Sequence, residues 1–369
     1  MTADQRSTTP PGHDPGRDAR IAGDNTGTTA RVVQVTRRGG PSVLAVREVR
    51  LPPPDEGEVL VRVEAAGVAF GDVQLREGLR RAALPVVPGY DVAGTVIASG
   101  GKIDGPAVGD KVAVRIPGGT GGYATHVLVP AWAAVPYPER LDPHAVVALV
   151  VNYVTAWQML SRSAPVTEGS TILVHSAAGG VGSALLQLAA LRGLRAFGTA
   201  SAGKADLVRS LGATPIDYRA GDVAAAVRSA APEGVDAVFD ALGSASWRQA
   251  LPLLRPGGRL VVYGMSTTFA GGRLSIPGLL RNFARLPRTS YLAYLTRGIG
   301  VVGYNSEAMV RAHPGRYRED LARLIGLLDE GSISPLLHRA FPLDRAAEAQ
   351  AELGSGRAIG KITLAIGRP

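Results

Sequence analysis

The chain has 369 residues and a mass of 38.2 kDa, enough for two or three domains at ~100–200 residues each. Hydrophobic residues at 46% against charged residues at 19% exclude a largely disordered protein, and no run of ~18 apolar residues is free of charge, Gly or Pro, which argues against a transmembrane span. The absence of cysteine excludes disulfides and Cys-ligated zinc, haem or iron–sulfur sites, while the net charge of +9 is spread without a Lys/Arg tract, so an anionic cofactor is expected rather than nucleic acid.

Residues 1–30 are polar, rich in Pro and Gly, and carry no signal-peptide apolar run. They read as a disordered tail, and a cytoplasmic protein is expected. Order is expected from near Arg31. Val32–Val35, Ala45–Val49, Val59–Ala65, Val92–Ala98, Lys111–Ile116 and Tyr123–Val129 read as strands between Gly/Pro turns. Short strands at this spacing predict a β-rich domain without a long helix before Asp142.

The pattern then changes. Ala145–Arg162 has helical periodicity without Gly or Pro. Thr171–His175 reads as a buried strand, Gly182–Arg192 as a helix, and Leu194–Thr199 as the next strand. Helices over Lys204–Leu211, Asp222–Ala230 and Ser246–Leu254 alternate with strands Thr214–Ile216, Ala237–Asp240, Arg259–Val262 and Ile299–Gly303. Alternating β and α units predict a doubly wound α/β domain with a parallel sheet. Further on, Arg318–Glu330 and Ala346–Glu352 read as helices and Gly360–Ile366 as a strand returning to the first domain.

The run Ser176-Ala-Ala-Gly179-Gly180-Val181-Gly182-Ser183 follows the first buried strand directly. Glycine lets backbone approach a pyrophosphate closely, and a helix start offers free N–H groups and the positive dipole end. Ala177 stands where the first glycine of G-x-G-x-x-G usually is. At the end of the second strand, an NAD site usually places a carboxylate for the ribose hydroxyl. Here Gly198-Thr-Ala-Ser201 has none, and Lys204 and Tyr218-Arg219 follow. A hydroxyl, an ammonium and a guanidinium suit a 2′-phosphate, so NADPH is the expected cofactor.

The stretches Gly67-Val-Ala-Phe-Gly-Asp72 and Leu84-Pro-Val-Val-Pro-Gly-Tyr-Asp-Val-Ala-Gly94 resemble the medium-chain dehydrogenase/reductase superfamily. Gly109-Asp-Lys-Val-Ala113, Gly121-Gly-Tyr-Ala124, Asn152-Tyr-Val-Thr-Ala156, Leu173–Gly182, Ile216-Asp-Tyr218 and Gly360-Lys-Ile-Thr-Leu364 are similar to its zeta-crystallin-like quinone oxidoreductase branch. Val262-Tyr-Gly-Met-Ser266, with the Arg/Leu-rich segment after it, resembles the vesicle amine transport protein subgroup. The resemblance covers about Arg31 to Ile366.

It implies a GroES-like catalytic domain built from 31–152 and 304–369, with a Rossmann domain over 153–303. It places Thr155, Gly303 and Tyr304 by the nicotinamide, and Gly179, Gly180, Val181 and Gly182 at the pyrophosphate. Ser201, Lys204 and Tyr218 fall around the 2′-phosphate. Leu242, Gly243, Tyr263, Gly264 and Met265 line the dinucleotide, and Arg357 and Lys361 approach from the C-terminal segment. A homodimer through the edge strand Ile299–Gly303 is also implied.

The zinc-using branch of that superfamily needs cysteines, and its Gly-His-Glu stretch reads Gly89-Tyr90-Asp91 here. The histidines show no ligand spacing, so no metal is expected. Without a Lewis acid, hydride is expected to go to an acceptor that stabilises its own negative charge, a quinone or other conjugated carbonyl. Asp72, Tyr90 and Tyr153 are the candidate catalytic side chains, with Tyr304 also in reach of the cleft. Ala69 replaces the asparagine usual in the family. A 2-enoyl or enone reductase, as in polyketide pathways, is the alternative; an NADPH-binding protein with little catalysis is the third reading. Gly271–Arg297 reads as a substrate lid, a membrane-surface helix or a helix pair at a dimer face.

Overall fold

The computed structural model describes residues 27–102, 105–284 and 291–367. Most of the expected tail lies outside them. Strand β1 (Thr28–Val35) begins earlier than expected, because Thr28–Val35 pairs antiparallel with β2 (Leu44–Leu51) along its whole length.

The first large sheet contains β3 (Glu58–Val68), β4 (Asp91–Ser99), β5 (Lys111–Arg115), β6 (His126–Pro130) and β7 (Ala134–Pro136). Val59, Val61 and Val63 alternate into the core along β3, as β-branched residues do on a half-buried pleated surface. Tyr123–Thr125 is extended, but it pairs with β1 rather than joining β6: Val33 N donates to Tyr123 O at 2.9 Å and Thr125 N to Arg31 O at 2.9 Å. A helix missed by the sequence reading, Phe70–Glu77, follows β3. It is only two turns long and carries Gly71 and Asp72, so it has little apolar periodicity.

The second sheet contains β8 (Thr171–Val174), β9 (Arg195–Ala200), β10 (Ala213–Asp217), β11 (Val235–Asp240) and β12 (Leu254–Val262). The helix expected over Ser246–Leu254 spans Ser244–Ala250, and Leu254 already begins β12. A small hairpin of β13 (Phe269–Ala270) and β14 (Arg273–Leu274) follows, then helices Ile276–Ala284 and Tyr291–Arg297. β15 (Gly300–Gly303) closes this sheet, whose order is β10-β9-β8-β11-β12-β15 with every pair parallel. The order reverses at β8, so the crevice beyond its carboxyl end is the switch point where doubly wound sheets bind ligands.

β16 (Leu337–Pro342) and β17 (Lys361–Ala365) return to the first sheet, whose order is β16-β17-β3-β4-β5-β7, with β6 also on β3. The expected C-terminal return is therefore present; β16 and the helix Ser306–Ala312 had no clear sequence signal.

The helix Pro143–Ser163 joins the two sheets. Asp142 caps it by accepting from His144 N at 3.1 Å, and Pro143 takes the first turn, where no N–H is needed. By length and composition it is the one described helix that could cross a membrane, but it is mostly buried inside the protein. Its apolar residues form one core with Ala65 and Ala93 of the first sheet and with Ile172 and Val174 of the second.

The helix Pro314–Asp329 is tied to it by Asp320, a buried carboxylate. Asp320 accepts from Gln158 Nε2 at 2.8 Å and from both Arg162 terminal nitrogens at 2.8 and 2.9 Å. Replacing Asp320 by Ala strands both donors. We expect a loss of about 2–3 kcal/mol by urea unfolding, less than for a fully buried pair because Arg162 is 32% exposed.

Candidate active site

The glycine turn lies between β8 and the helix Gly180–Leu191. Its glycines differ in what they allow. A Cβ on Gly182 would lie 2.3 Å from Ser176 O, and one on Gly180 would lie 2.3 Å from Asn152 Nδ2. At Gly182 backbone packing requires glycine; at Gly180 the Asn152 amide would have to move. At Gly179 the nearest atom would be 3.2 Å away, so that position is the more open one. Ala177, the departure from the usual first glycine, is accommodated by Gly198 of β9, where a Cβ would sit 2.8 Å from the Ala177 methyl. The first turn of the helix holds no acidic residue, and its first N–H groups have no partner within the helix. The turn therefore fits the diphosphate of a dinucleotide.

At the end of β9, Thr199 is buried and its hydroxyl meets His175 Nδ1 at 3.2 Å and Ser176 N at 3.3 Å. Ser201 and Lys204 follow on a short turn. Lys204 Nζ donates to the carbonyls of Gly356 and Ala358 at 3.1 and 3.0 Å. Burial, and then the nearby Arg219 charge, lower its pKa. Two cations that repel each other make a place where an anion is welcome. Arg219 lies over the half-exposed Tyr218 ring at 5.4 Å. Arg357, on the same C-terminal segment, is an exposed residue paired with Glu352 at 2.8 Å.

The loop after β11 is fixed by a buried carboxylate. Asp240 accepts from Leu242 N at 2.8 Å, Gly243 N at 3.0 Å and Trp247 Nε1 at 3.1 Å. His175 Nε2 lies 3.7 Å from it; burial lowers the His175 pKa and the carboxylate opposes this. Tyr263 follows β12 and its pKa is raised by burial, and a Cβ on Gly264 would come within 3.0 Å of Ala241 O. Met265 lines a small cavity with Ser244, Trp247, Asn282 and Phe283. Gly303 is open, and the next residue, Tyr304, donates its hydroxyl to Gln158 Oε1 at 2.9 Å. Burial raises the Tyr304 pKa to about 12, against a bond with Thr155.

The candidate catalytic groups are more enclosed than their sequence positions suggest. Asp72 is fully buried and bonded on both oxygens. Ala69 N at 2.8 Å and Tyr123 OH at 3.1 Å donate to one, and Gly89 N at 2.9 Å to the other. Tyr153 faces the core; its hydroxyl has no partner among the described residues, and burial raises its pKa. Two cations, Arg80 and Arg115, lie over the Tyr90 ring, each 4.8 Å from its centre. Arg80 also donates to its hydroxyl at 2.9 Å. Burial raises the Tyr90 pKa to about 12, despite Arg80. Lys361 is buried against Asp91 at 2.6 Å, in space left by Gly67, where a Cβ would meet Asp91 at 2.2 Å.

Several residues that shape the cleft were not singled out in the sequence. Glu307 accepts from Arg115 at 2.9 Å and from Gly118 N at 3.0 Å, bridging from the second half of the chain to the first. Asn282 accepts from Ser244 N and Ser244 Oγ at 3.1 Å each, and donates to Thr267 Oγ1 at 3.1 Å. The β13–β14 hairpin docks on the Phe70–Glu77 helix: Arg76 donates to Gly272 O at 2.9 Å, and the Phe70 and Phe269 rings meet edge to face at 4.9 Å. Only spatial proximity connects these groups, so no local motif marks them.

Burial raises the Asp72 pKa from 3.8 to about 6, while the Ala69 N–H opposes the rise. The folded state therefore holds this proton more tightly than the unfolded chain. Its contribution makes stability fall as pH rises through about 4 to 6. The stability difference between wild type and Asp72→Asn, measured by urea unfolding at several pH values, is expected to shift against wild type across that window. A difference independent of pH would show that Asp72 does not titrate there.

The model of the alcohol dehydrogenase GroES-like domain matches residues 55–139, and that of the zinc-binding dehydrogenase matches residues 211–364. Among the described residues, no three His, Cys, Asp or Glu side chains group as metal ligands. The chain is 33% identical to the mouse synaptic vesicle membrane protein VAT-1 homolog over 320 residues, covering 86% of this chain and 78% of that protein. It is 31% identical to part of a phenolphthiocerol/phthiocerol polyketide synthase of Mycobacterium tuberculosis, over 93% of this chain and 15% of that one. Its fold superposes on Escherichia coli quinone oxidoreductase complexed with NADPH with a TM-score of 0.81 at 25% identity, over 91% of this chain and 99% of that chain. The chain belongs to the medium-chain dehydrogenase/reductase superfamily, with the VAT-1 homologues among its relatives and quinone oxidoreductases among its structural neighbours.

Proposed function

We propose that this oxidoreductase uses NADPH to reduce a quinone or a quinone-like conjugated carbonyl. The observation that carries the cofactor choice is the pair formed by Lys204, after β9, and Arg219, after β10, where no carboxylate ends β9 for a ribose hydroxyl. NADPH supplies the hydride. Gly179, Gly180, Val181 and Gly182 hold its diphosphate, and Ser201, Lys204 and Tyr218 its 2′-phosphate. Leu242, Gly243, Tyr263, Gly264 and Met265 line its path, with Thr155, Gly303 and Tyr304 at the reacting end. Arg357 and Lys361 act from the C-terminal segment, Lys361 by holding Asp91.

The acceptor class follows from the acids available. Tyr90 and Tyr304 have pKa values of about 12, and Asp72 is bonded on both oxygens. None is a strong proton donor at neutral pH. An acceptor whose charge spreads into a phenolate or enolate needs none at the moment of hydride transfer, and can take its proton from solvent. Asp72 is then a positioning residue: it fixes Ala69 at the entrance of the Phe70–Glu77 helix and holds Gly89 beside Tyr90. We take 153–303 as the dinucleotide-binding unit and 31–152 with 304–369 as the catalytic one, working in the cytoplasm. The exposed edge of β15 offers the surface for a homodimer, with Val301 half in water.

The alternative, reduction of a 2-enoyl thioester, is supported by the likeness to part of a polyketide synthase. NADPH oxidation with an ortho-quinone and a 2-enoyl thioester in parallel separates the two. Turnover of the quinone alone supports the first reading; turnover of the thioester alone supports the second. Binding of NADPH without turnover of either supports a cofactor-binding role. For Lys204→Ala, NADPH affinity is expected to fall about tenfold or more while NADH changes by less than about twofold. Equal losses by titration would remove the 2′-phosphate from Lys204.

A further inference from the structure

The acids near Tyr90 are already engaged. Asp72 is bonded on both oxygens, Asp91 holds Lys361 and Glu307 holds Arg115. Glu77, at the far end of the Phe70–Glu77 helix, meets Arg76 and Arg273. No acid stands between Gly78 and Tyr90. Arg80, which lies over the Tyr90 ring, is therefore left over: among the described residues no carboxylate pairs with it.

What holds Arg80 is neutral. Its Nη1 donates to the Tyr90 hydroxyl at 2.9 Å and to Gly119 O at 3.0 Å, and its Nη2 donates to Gly118 O. Three of the five guanidinium N–H groups are used in this way. The two that remain sit on neighbouring nitrogens, Nε and Nη2, the edge that meets a carboxylate with two parallel bonds. Arg80 is half-buried, and its Nε is not sealed from water. Tyr90 accepts from Arg80, so its own proton is free for another acceptor beside that edge. Gly71 makes room for this hydroxyl, since a Cβ there would lie 2.1 Å from it. The position is tied to the other half of the chain. Gly118 N donates to Glu307 at 3.0 Å, and Glu307 follows Tyr304 by three residues.

We propose that Arg80 binds a carboxylate of the acceptor, so that the preferred substrate is a conjugated carbonyl compound bearing one acidic group. One uncompensated cation matches one negative charge. An uncharged acceptor seated here would strip water from the free guanidinium edge and return no bond. Holding the turn at Gly118 and Gly119 uses only the other side of the group. The inference rests on the reading of this cleft as the acceptor site, and adds the charge of the acceptor to it.

The test is calorimetric titration of the full chain, with NADPH present, by 2-naphthoate and by the uncharged 2-naphthamide of similar shape. Neither accepts hydride, so binding is read without turnover. Wild type is expected to bind the acid at least about tenfold more tightly than the amide. Arg80→Gln is expected to bring the two within about twofold, and Arg80→Lys, which keeps the charge without the two-bond edge, to leave an intermediate ratio. In wild type, naphthoate is also expected to raise the KM for uncharged phenanthrenequinone without lowering kcat. The proposal is overturned if wild type binds neither compound or both equally, if Arg80→Gln keeps the wild-type ratio, or if naphthoate binds without competing with the quinone. Should the melting temperature show that Arg80→Gln does not fold, the wild-type ratio and Arg80→Lys decide. A naphthoate preference that depends on Arg80, found with no quinone turnover at all, would count against the reductase reading and leave the carboxylate site standing.

Discussion

Ala178 of the glycine turn and Gly360 before β17 touch backbone to backbone: Gly360 N donates to Ala178 O at 2.9 Å. Gly360 has a positive φ of 61°, and a Cβ there would lie 2.1 Å from Leu336 O, so only glycine brings the C-terminal segment this close. The rest of the cleft is arranged around that seam. One residue further, Lys361 reaches Asp91 under the first sheet. A few residues earlier, the carbonyls of Gly356 and Ala358 receive Lys204 from the second sheet. On the other side of the turn, Asn152 fills the space that Gly180 leaves. A dinucleotide bound at the turn would therefore meet both halves of the chain together, which is the condition for holding hydride donor and acceptor in one orientation.

The carboxylates around the seam hold structure in place. Asp72 joins the end of β3 to Gly89, Asp240 shapes the loop at Leu242 and Gly243, and Asp91 neutralises Lys361. Each is buried with partners on at least one oxygen, as desolvation requires. What they add to the chemistry is position. Tyr90 is likewise held against two guanidinium groups. In this wall of the cleft Arg115 and Lys361 are paired with Glu307 and Asp91, and the proton donors are weak.

How much of this could be read from sequence depended on distance along the chain. The glycine turn, the strands on either side and the lack of a carboxylate after β9 are neighbours in sequence, and their strand–turn–helix order is a strong local pattern. The same holds for Lys204 and Tyr218. Tyr90 was visible as a candidate, but its two cations were not, because Arg80 and Arg115 reach its ring only through the fold, and Glu307, which holds Arg115, lies 192 residues from it. Asn282 was hidden for the same reason: its partners Ser244 and Thr267 are reached only after the chain folds back. Tyr153 shows the opposite failure. Its place beside Thr155 in a recognisable motif suggested the cleft, yet the helical rotation turns its hydroxyl toward the core. The segment after Met265 left three readings open because its apolar and basic residues alternate without a cap or a clean period.

The sheet order also has a consequence for biosynthesis. β3 is flanked in the finished sheet by β4 and β17, and the register pairs Ala66 with Leu364, close to three hundred residues later. While the ribosome is still making the second half, β6 already covers Glu58–Arg62 on that side of β3, and Ala65–Val68 is left as a short open edge of the kind that recruits other chains. The nascent chain carries that edge until Ile362–Ala365 is made. Its protection during synthesis falls to whatever holds nascent chains apart in the cell, because the strand that covers it is made so much later than β3.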